Sequence, residues 1–206
     1  MTDLTGKVIA HITVSADGYA AGPNQSEARP FGEDGGDGWG DKLHAWMFDH
    51  ADENRAEIDE VGGYGAVIMG RNMFGPVRGE WDREWNGWWG DDPVYHCPVF
   101  VLTHHPRPPQ QMNGGTTYHF VTEGIESALA RARDAAGDGY VSIQGGPRTI
   151  NQYVAAGVVD ELRVHYVPLV LGGGTRLFDD VPPRELELLR SRAASTVTHV
   201  TYGARD

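Results

Sequence analysis

Apolar positions recur along this chain in two rhythms. Val8, Ala10, Ile12 and Val14 fall on one face of a segment whose other face carries Ile9, which predicts a strand over Lys7–Ser15. Ala66–Met69, Pro98–Thr103 and Tyr140–Ile143 are short apolar runs that read as buried strands. Thr116–Val121 and Glu161–Leu171 extend the set, and Leu186–Leu189 with Val197–Tyr202 read as a terminal antiparallel pair. The second rhythm is helical. Leu43, Trp46, Met47 and Ala51 predict a helix from Lys42 to about Glu60, with Asp41 placed to cap it. Ile125, Leu129, Ala132 and Ala136 predict another, and Ile150, Tyr153 and Val154 a third that runs from Pro147 to Ala156 and stops at Gly157. Gly22 to Gly40 has no period and is expected to be a mobile loop. Strands alternating with helices predict an α/β fold: a mostly parallel sheet flanked by helices, with antiparallel C-terminal strands. No repeat or linker divides the chain, so residues 1–206 read as one domain.

Charge narrows the set of partners. The formal net charge is −12, with 29 acidic against 17 basic side chains, and only Lys7 and Lys42 are lysines. No basic stripe is present to neutralise a nucleic-acid backbone, and any anionic ligand must be met by arginine. No apolar run approaches the roughly 20 residues of a membrane helix. The first residues show no basic segment followed by an apolar one, so no signal peptide is expected. A single cysteine, Cys97, excludes an internal disulfide and thiolate metal cages and points to a cytoplasmic setting. No metal is expected, since His104–His105 has no matched ligands.

Three stretches carry candidate chemistry. Gly139–Tyr153 reads as a strand, a Gln144–Gly145–Gly146 turn and a helix opened by Pro147. Two glycines let a ligand approach the backbone, helix N–H groups favour a phosphate, and Arg148 adds a charge. An ordinary tight βα turn is the plain alternative, and the GxGxxG spacing of the Rossmann fingerprint is absent. Trp81, Trp85, Trp88 and Trp89 have helical spacing, though Gly87 and Gly90 weaken a helix. They read either as flat faces for a planar substrate or as a small core. Asp17 sits in an Asp-Gly turn, which is also ordinary turn chemistry.

In their joint order, several motifs resemble the dihydrofolate-reductase-like superfamily, and within it the reductase domain of bifunctional riboflavin-biosynthesis enzymes. They are Ser15–Ala16–Asp17–Gly18–Tyr19, Val67–Ile68–Met69–Gly70–Arg71–Asn72–Met73–Phe74, Pro98–Thr103, Ile143–Gln144–Gly145–Gly146 and Val159–Asp160–Glu161–Leu162 with Pro168–Gly174. The resemblance spans nearly the whole chain and implies NADPH as cofactor. Its diphosphate would lie between the turns at Gly70, Arg71, Asn72 and Met73 and at Gly145, Gly146, Pro147, Arg148 and Thr149. Its 2′-phosphate would lie near Arg71 and the Leu102–Thr103–His104 loop. The zinc deaminase half of the riboflavin enzymes has no counterpart.

The resemblance breaks at the acid of true dihydrofolate reductases, a carboxylate on the first helix. Asp41 matches it only with a gap, and Asp17 is the other candidate catalytic acid. Trp46, Trp88 and Trp89 are the candidate substrate-binding residues. The activity that the resemblance implies is NADPH-dependent reduction of a small heterocyclic, imine or carbonyl substrate. A nucleotide-binding, non-catalytic relative and a true dihydrofolate reductase stand as alternatives. The resemblance also implies a homodimer, formed through the late antiparallel region with Leu162, Val164 and Tyr166.

Overall fold

The computed structural model describes residues 4–33, 38–76 and 79–205. Its strands are β1 (Val8–Ser15), β2 (Tyr19–Ala21), β3 (Ala66–Gly70), β4 (Pro98–Leu102), β5 (Gln110–Gln111), β6 (Thr117–Val121), β7 (Val141–Ile143), β8 (Glu161–Val167), β9 (Thr175–Arg176), β10 (Leu186–Ala193) and β11 (Thr198–Ala204). Its helices are α1 (Trp39–Phe48), α2 (Arg55–Asp59), α3 (Arg71–Phe74), α4 (Ile125–Ala136) and α5 (Pro147–Ala155). Nine strands form one sheet in the order β10-β11-β8-β1-β7-β3-β4-β6-β5, while β2 and β9 pair separately. The centre is parallel, from β8 through β1, β7, β3 and β4 to β6. The last strands, β11 and β10, add on antiparallel. No helix among the described residues is long and apolar enough to cross a membrane.

All eight positions of β1 are buried, as a central strand with both faces covered requires. One face carries Val8, Ala10, Ile12 and Val14 and packs with Ala66, Ile68 and Phe100 against the apolar sides of α4 and α5. Ile150 of α5 is fully buried there, which stabilises the fold by about 1.5–3 kcal/mol. The opposite face is covered in two parts. Val67, Met69, Val99, Val101, Tyr118 and Phe120 lie under Phe74, Tyr95, Trp81 and Trp85. Leu43 and Trp46 of α1 meet Val167 and Val197.

Three expectations need correction. The helix expected from Lys42 to Glu60 is two helices. The Asn54 side-chain amide donates to the carbonyls of Trp46 (3.0 Å) and His50 (2.9 Å), taking over bonds that a continuing helix would fill with backbone N–H groups. Asp41 is no cap, because α1 begins two residues earlier behind Gly38 and no side chain caps it. β8 stops at Val167 rather than Leu171, since Pro168 has no N–H with which to continue the ladder. The tryptophan segment, where Gly87 and Gly90 weaken a helix, is irregular. Of the loop expected over 22–40, residues 34–37 lie outside the described residues. Residues 22–33 are tied by Gly22 N–H to Phe31 O (2.8 Å) and Glu33 N–H to Pro23 O (2.6 Å).

Candidate cofactor and active site

Two glycine turns meet at the carboxyl ends of β3 and β7. Gly70 N–H donates to Gly145 O at 2.8 Å, and Gln144 N–H donates to Ile68 O at 3.0 Å. A β-carbon on Gly70 would come within 2.4 Å of Thr149 Oγ1, so only glycine lets α5 sit this close to β3. The Gly145–Gly146 peptide is cis, and Gly145 has φ 101°, a region that favours glycine. No heavy atom lies within 4 Å of where a β-carbon on Gly145 or Gly146 would stand. The second turn therefore has open space beside it. α5 starts here with Pro147 in its first turn, and Gly146 caps it without a side-chain bond. Thr149 is buried and Arg148 is exposed at the rim. The helix start presents N–H groups and a positive dipole end, an arrangement suited to a phosphate.

Beside these turns, Arg71 opens α3. Its guanidinium donates to Thr103 Oγ1 at 3.3 Å and lies over the Trp81 ring at 3.8 Å. Arg107 approaches the same ring at 5.0 Å and donates to Trp85 O at 3.0 Å. Trp81 Nε1 in turn donates to His105 O at 3.0 Å. Two arginines thus converge on one indole in a chain of net charge −12. Asn72 is exposed, Met73 and Leu102 are half-buried, and His104 is exposed. His105 is the more engaged of the two histidines, 3.0 Å from Glu80. The sequence marks Arg71, Thr103 and His104 as cofactor candidates but gives no sign that Arg107 and Trp81 join them. The run from His104 to Pro109 has no period from which Arg107 could be placed.

The structure separates the candidate acids. Asp17 is held by Ser15 Oγ at 2.5 Å, Leu171 N–H at 3.1 Å and Gly172 N–H at 2.7 Å. Partial burial works against its charge, but the bonds from Ser15, Gly172 and Leu171 outweigh it and lower its pKa. Asp17 therefore acts as an ionised clamp on the 172–174 glycine loop. Asp41 lies exposed in the first turn of α1.

The tryptophans also divide. Trp46 is 1 % exposed, with its ring against His165 (4.5 Å) and His199 (5.1 Å) and its Nε1 donating to Thr13 Oγ1 at 3.2 Å. It is a core residue, with no face left for a substrate. Trp85 donates to Phe74 O at 3.0 Å and lies where a side chain on Gly75 would stand. Trp88 and Trp89 remain 36 % and 44 % exposed. Among the described residues, no group of three His, Cys, Asp or Glu side chains is arranged to hold a metal.

Known proteins share this architecture. A protein of Shewanella sp. PV-4 described as a riboflavin biosynthesis protein is 23% identical, with a TM-score of 0.65 over 97% of this chain and 99% of its own. Dihydrofolate reductase from Enterococcus faecalis, solved with NADP(H) and RAB-propyl, is 17% identical with a TM-score of 0.58, covering 98% and 99%. A diaminohydroxyphosphoribosylaminopyrimidine deaminase/5-amino-6-(5-phosphoribosylamino)uracil reductase of Thermotoga maritima is 13% identical with a TM-score of 0.54. It covers 98% of this chain, which spans 57% of that longer protein. At these identities the likeness establishes the dihydrofolate-reductase-like fold. No curated protein is a significant match for the sequence. The profile of the RibD C-terminal domain family matches residues 6–200. The chain belongs to the RibD C-terminal domain family, a reductase domain built on the dihydrofolate-reductase-like fold.

Proposed function

We propose that the chain, acting as one domain over residues 1–206, is an NADPH-dependent reductase. Its substrate is a small heterocycle with an imine or carbonyl group, of pterin or ribosylaminopyrimidine type. One observation carries this reading: two glycine turns are bonded to each other beside the start of α5, and the space over Gly145 and Gly146 would admit a diphosphate. NADPH, when bound, supplies the hydride. The chain's own residues bind and orient. Backbone N–H groups from Gly146 onward, with Arg148, hold the diphosphate, and Arg71, Thr103 and Arg107 take the 2′-phosphate. Thr149 keeps β3 and α5 in contact. Trp88 and Trp89, the exposed indoles, are the faces on which a substrate ring would stack.

NADPH oxidation with a panel of pteridines, flavins and ribosylaminopyrimidines tests the reading. Turnover with one of them supports it. NADPH binding without turnover on any supports the second reading, a nucleotide-binding relative without catalysis. That reading is favoured by the state of the carboxylates: Asp17 is committed to its turn and Asp41 is exposed on α1.

A homodimer belongs to the same proposal, with its surface moved. Leu162 and Val164 are buried within the chain, whereas Leu188 and Leu189 on the edge strand β10 are 61 % and 49 % exposed. Light scattering at micromolar concentration should give twice the 22.5 kDa chain mass, and a mass of one chain would refute the dimer.

A further inference from the structure

Beneath α1 and α2 the sheet carries imidazoles. His11 of β1, His165 of β8 and His199 of β11 lie on one face, and none is more than 6 % exposed. One side chain fixes where their hydrogens are. The Asn54 amide spends its N–H groups on the carbonyls of Trp46 and His50, so its oxygen is the atom that faces His199. That oxygen accepts from Arg192 Nη2 at 3.0 Å and lies 2.9 Å from His199 Nε2, which must therefore carry a hydrogen. A neutral His199 then has a bare Nδ1. The 2.7 Å contact between the two Nδ1 atoms requires the hydrogen on His165. His165 Nε2 is left as a bare, buried lone pair with no hydrogen bond among the described residues, and neither nitrogen of His11 has one.

This neutral chain of imidazoles offers an added proton one bare nitrogen, His165 Nε2. On the shared Nδ1 pair a second hydrogen would set N–H against N–H. On His165 Nε2 the proton leaves the hydrogen bonds intact but creates a buried cation that has no acceptor among the described residues, against the Trp46 ring. Neighbouring charges give little relief. Glu57 of α2 lies 3.9 Å from His199 Nε2 but is already paired with Arg192 of β10. Arg163 of β8 lies near His11 and repels a cation there, and it is itself bound to Glu161 and Glu60. Lys7 pairs with Glu161 and Arg190 with Glu60. On α1 and its end, His44 lies 3.0 Å from Gly40 O and His50 is exposed. Burial, first of all, holds His11, His165 and His199 below the ordinary histidine value.

The cover over these imidazoles joins one apolar cluster to a set of polar ties. Leu43 and Trp46, with Met47 and Ile58 partly buried beside them, pack with Val167 and Val197. The polar ties are Trp46 to Thr13, Asn54 to His199, Glu57 to Arg192, and Glu53 to the Ser195 hydroxyl and N–H. We propose that His165 is an acid-sensitive latch: a proton taken at its bare Nε2 leaves a buried imidazolium with no acceptor, and this favours release of residues 39–59 from the sheet, while α4 and α5 on the opposite face stay in place. Linkage sets the sign. The open form binds the proton at the ordinary value of about 6.5, so closure is complete above that pH and is lost as pH falls below it. The carboxylates of Glu53 and Glu57 keep their charges in this window. Bonds from Ser195 hold Glu53 low, and for Glu57 bonds from Arg192 outweigh the opposing effect of burial.

Hydrogen exchange of the full chain at pH 7.5 and pH 5.5, corrected for intrinsic rates, tests the latch. Residues 39–59 should lose protection about tenfold or more relative to 125–136 and 147–155. In His165→Gln, which keeps a donor for His199 Nδ1 but takes no proton, the response should shrink by one proton's worth, about tenfold per pH unit. Should His165→Gln not fold, NMR titration of the natural chain decides: His165 and His199 should stay neutral until 39–59 opens. Unchanged protection of 39–59, equal loss in all the helices, or a response undiminished in folded His165→Gln would each overturn the proposal. So would either ring titrating near 6.5 in the closed form.

Discussion

A side chain at Gly146 would stand in open space, whereas one at Gly70 would strike Thr149. The two glycines therefore answer different questions. Gly146 has φ −74°, which any residue adopts, so Gly146→Val should fold normally yet lose NADPH binding. A folded variant that still binds NADPH in a fluorescence titration would remove the diphosphate from this turn. Gly70→Ala should instead destabilise the chain by pushing α5 from β3. Arg71 is the matching test for the 2′-phosphate. Loss of one charge-assisted contact weakens binding by about 1.5–3 kcal/mol, so Arg71→Ala should lower NADPH affinity about tenfold or more and NADH affinity much less. Equal losses, measured by calorimetry, would place Arg71 away from that phosphate. Trp81 holds the guanidinium in position by stacking, so Trp81→Leu should shift the same ratio in the same direction.

The tryptophan segment separates into anchors and exposed faces. Trp81 and Trp85 are tied by their indole N–H groups and pack on the cluster around Phe74. Replacing either by Ala should lower stability by about 2–3 kcal/mol, somewhat less than for a fully buried indole. Trp88→Ala should leave the melting temperature close to that of the natural chain, and impaired turnover or ligand binding would then mark a substrate face. A loss of several degrees with normal kinetics would make Trp88 part of the core. Legibility in the sequence divides in the same way, between local and distant causes. The cores of β3, β4, β7 and α5 are readable because their apolar runs and the Pro147 and Gly157 signals are local. The break between α1 and α2 is not, because it depends on where one Asn54 amide points. The turn at Gly145–Gly146 is legible as a candidate phosphate turn. Its bond to Gly70 and the arrival of Arg107 beside Trp81 require the folded sheet. The imidazole face is hidden for another reason: on a covered strand, polar residues at alternate positions look like a solvent-facing side.

At the scale of the whole molecule, buried neutral histidines tie stability to pH. His11, lowered to about 3 by burial and by the nearby Arg163 charge, stays neutral in the folded chain, while the unfolded chain protonates it near 6.5. Stability should be flat above pH 6.5 and fall by about 1.4 kcal/mol per pH unit for each such histidine below it. Urea unfolding at pH 7.5 and 5 should show a deficit of about 2 kcal/mol or more at the lower pH. A midpoint that does not move would mean that these rings are protonated within the fold.

The strand order carries a further consequence, one of timing. β1 leaves the ribosome well before both of its neighbours: Val8 lies beside Val141, and Ile9 beside Glu161. Until residues 141–143 have been synthesised, this apolar strand has no partner on either edge. A nascent chain halted before residue 140 would therefore display Val8–Ser15 as an unpaired template, the kind of segment that chaperones bind and that pairs wrongly when crowded. Completion of β8 closes both edges of β1. The protein's exposure to misassembly is thus greatest during its own synthesis and ends within the span of a few dozen residues.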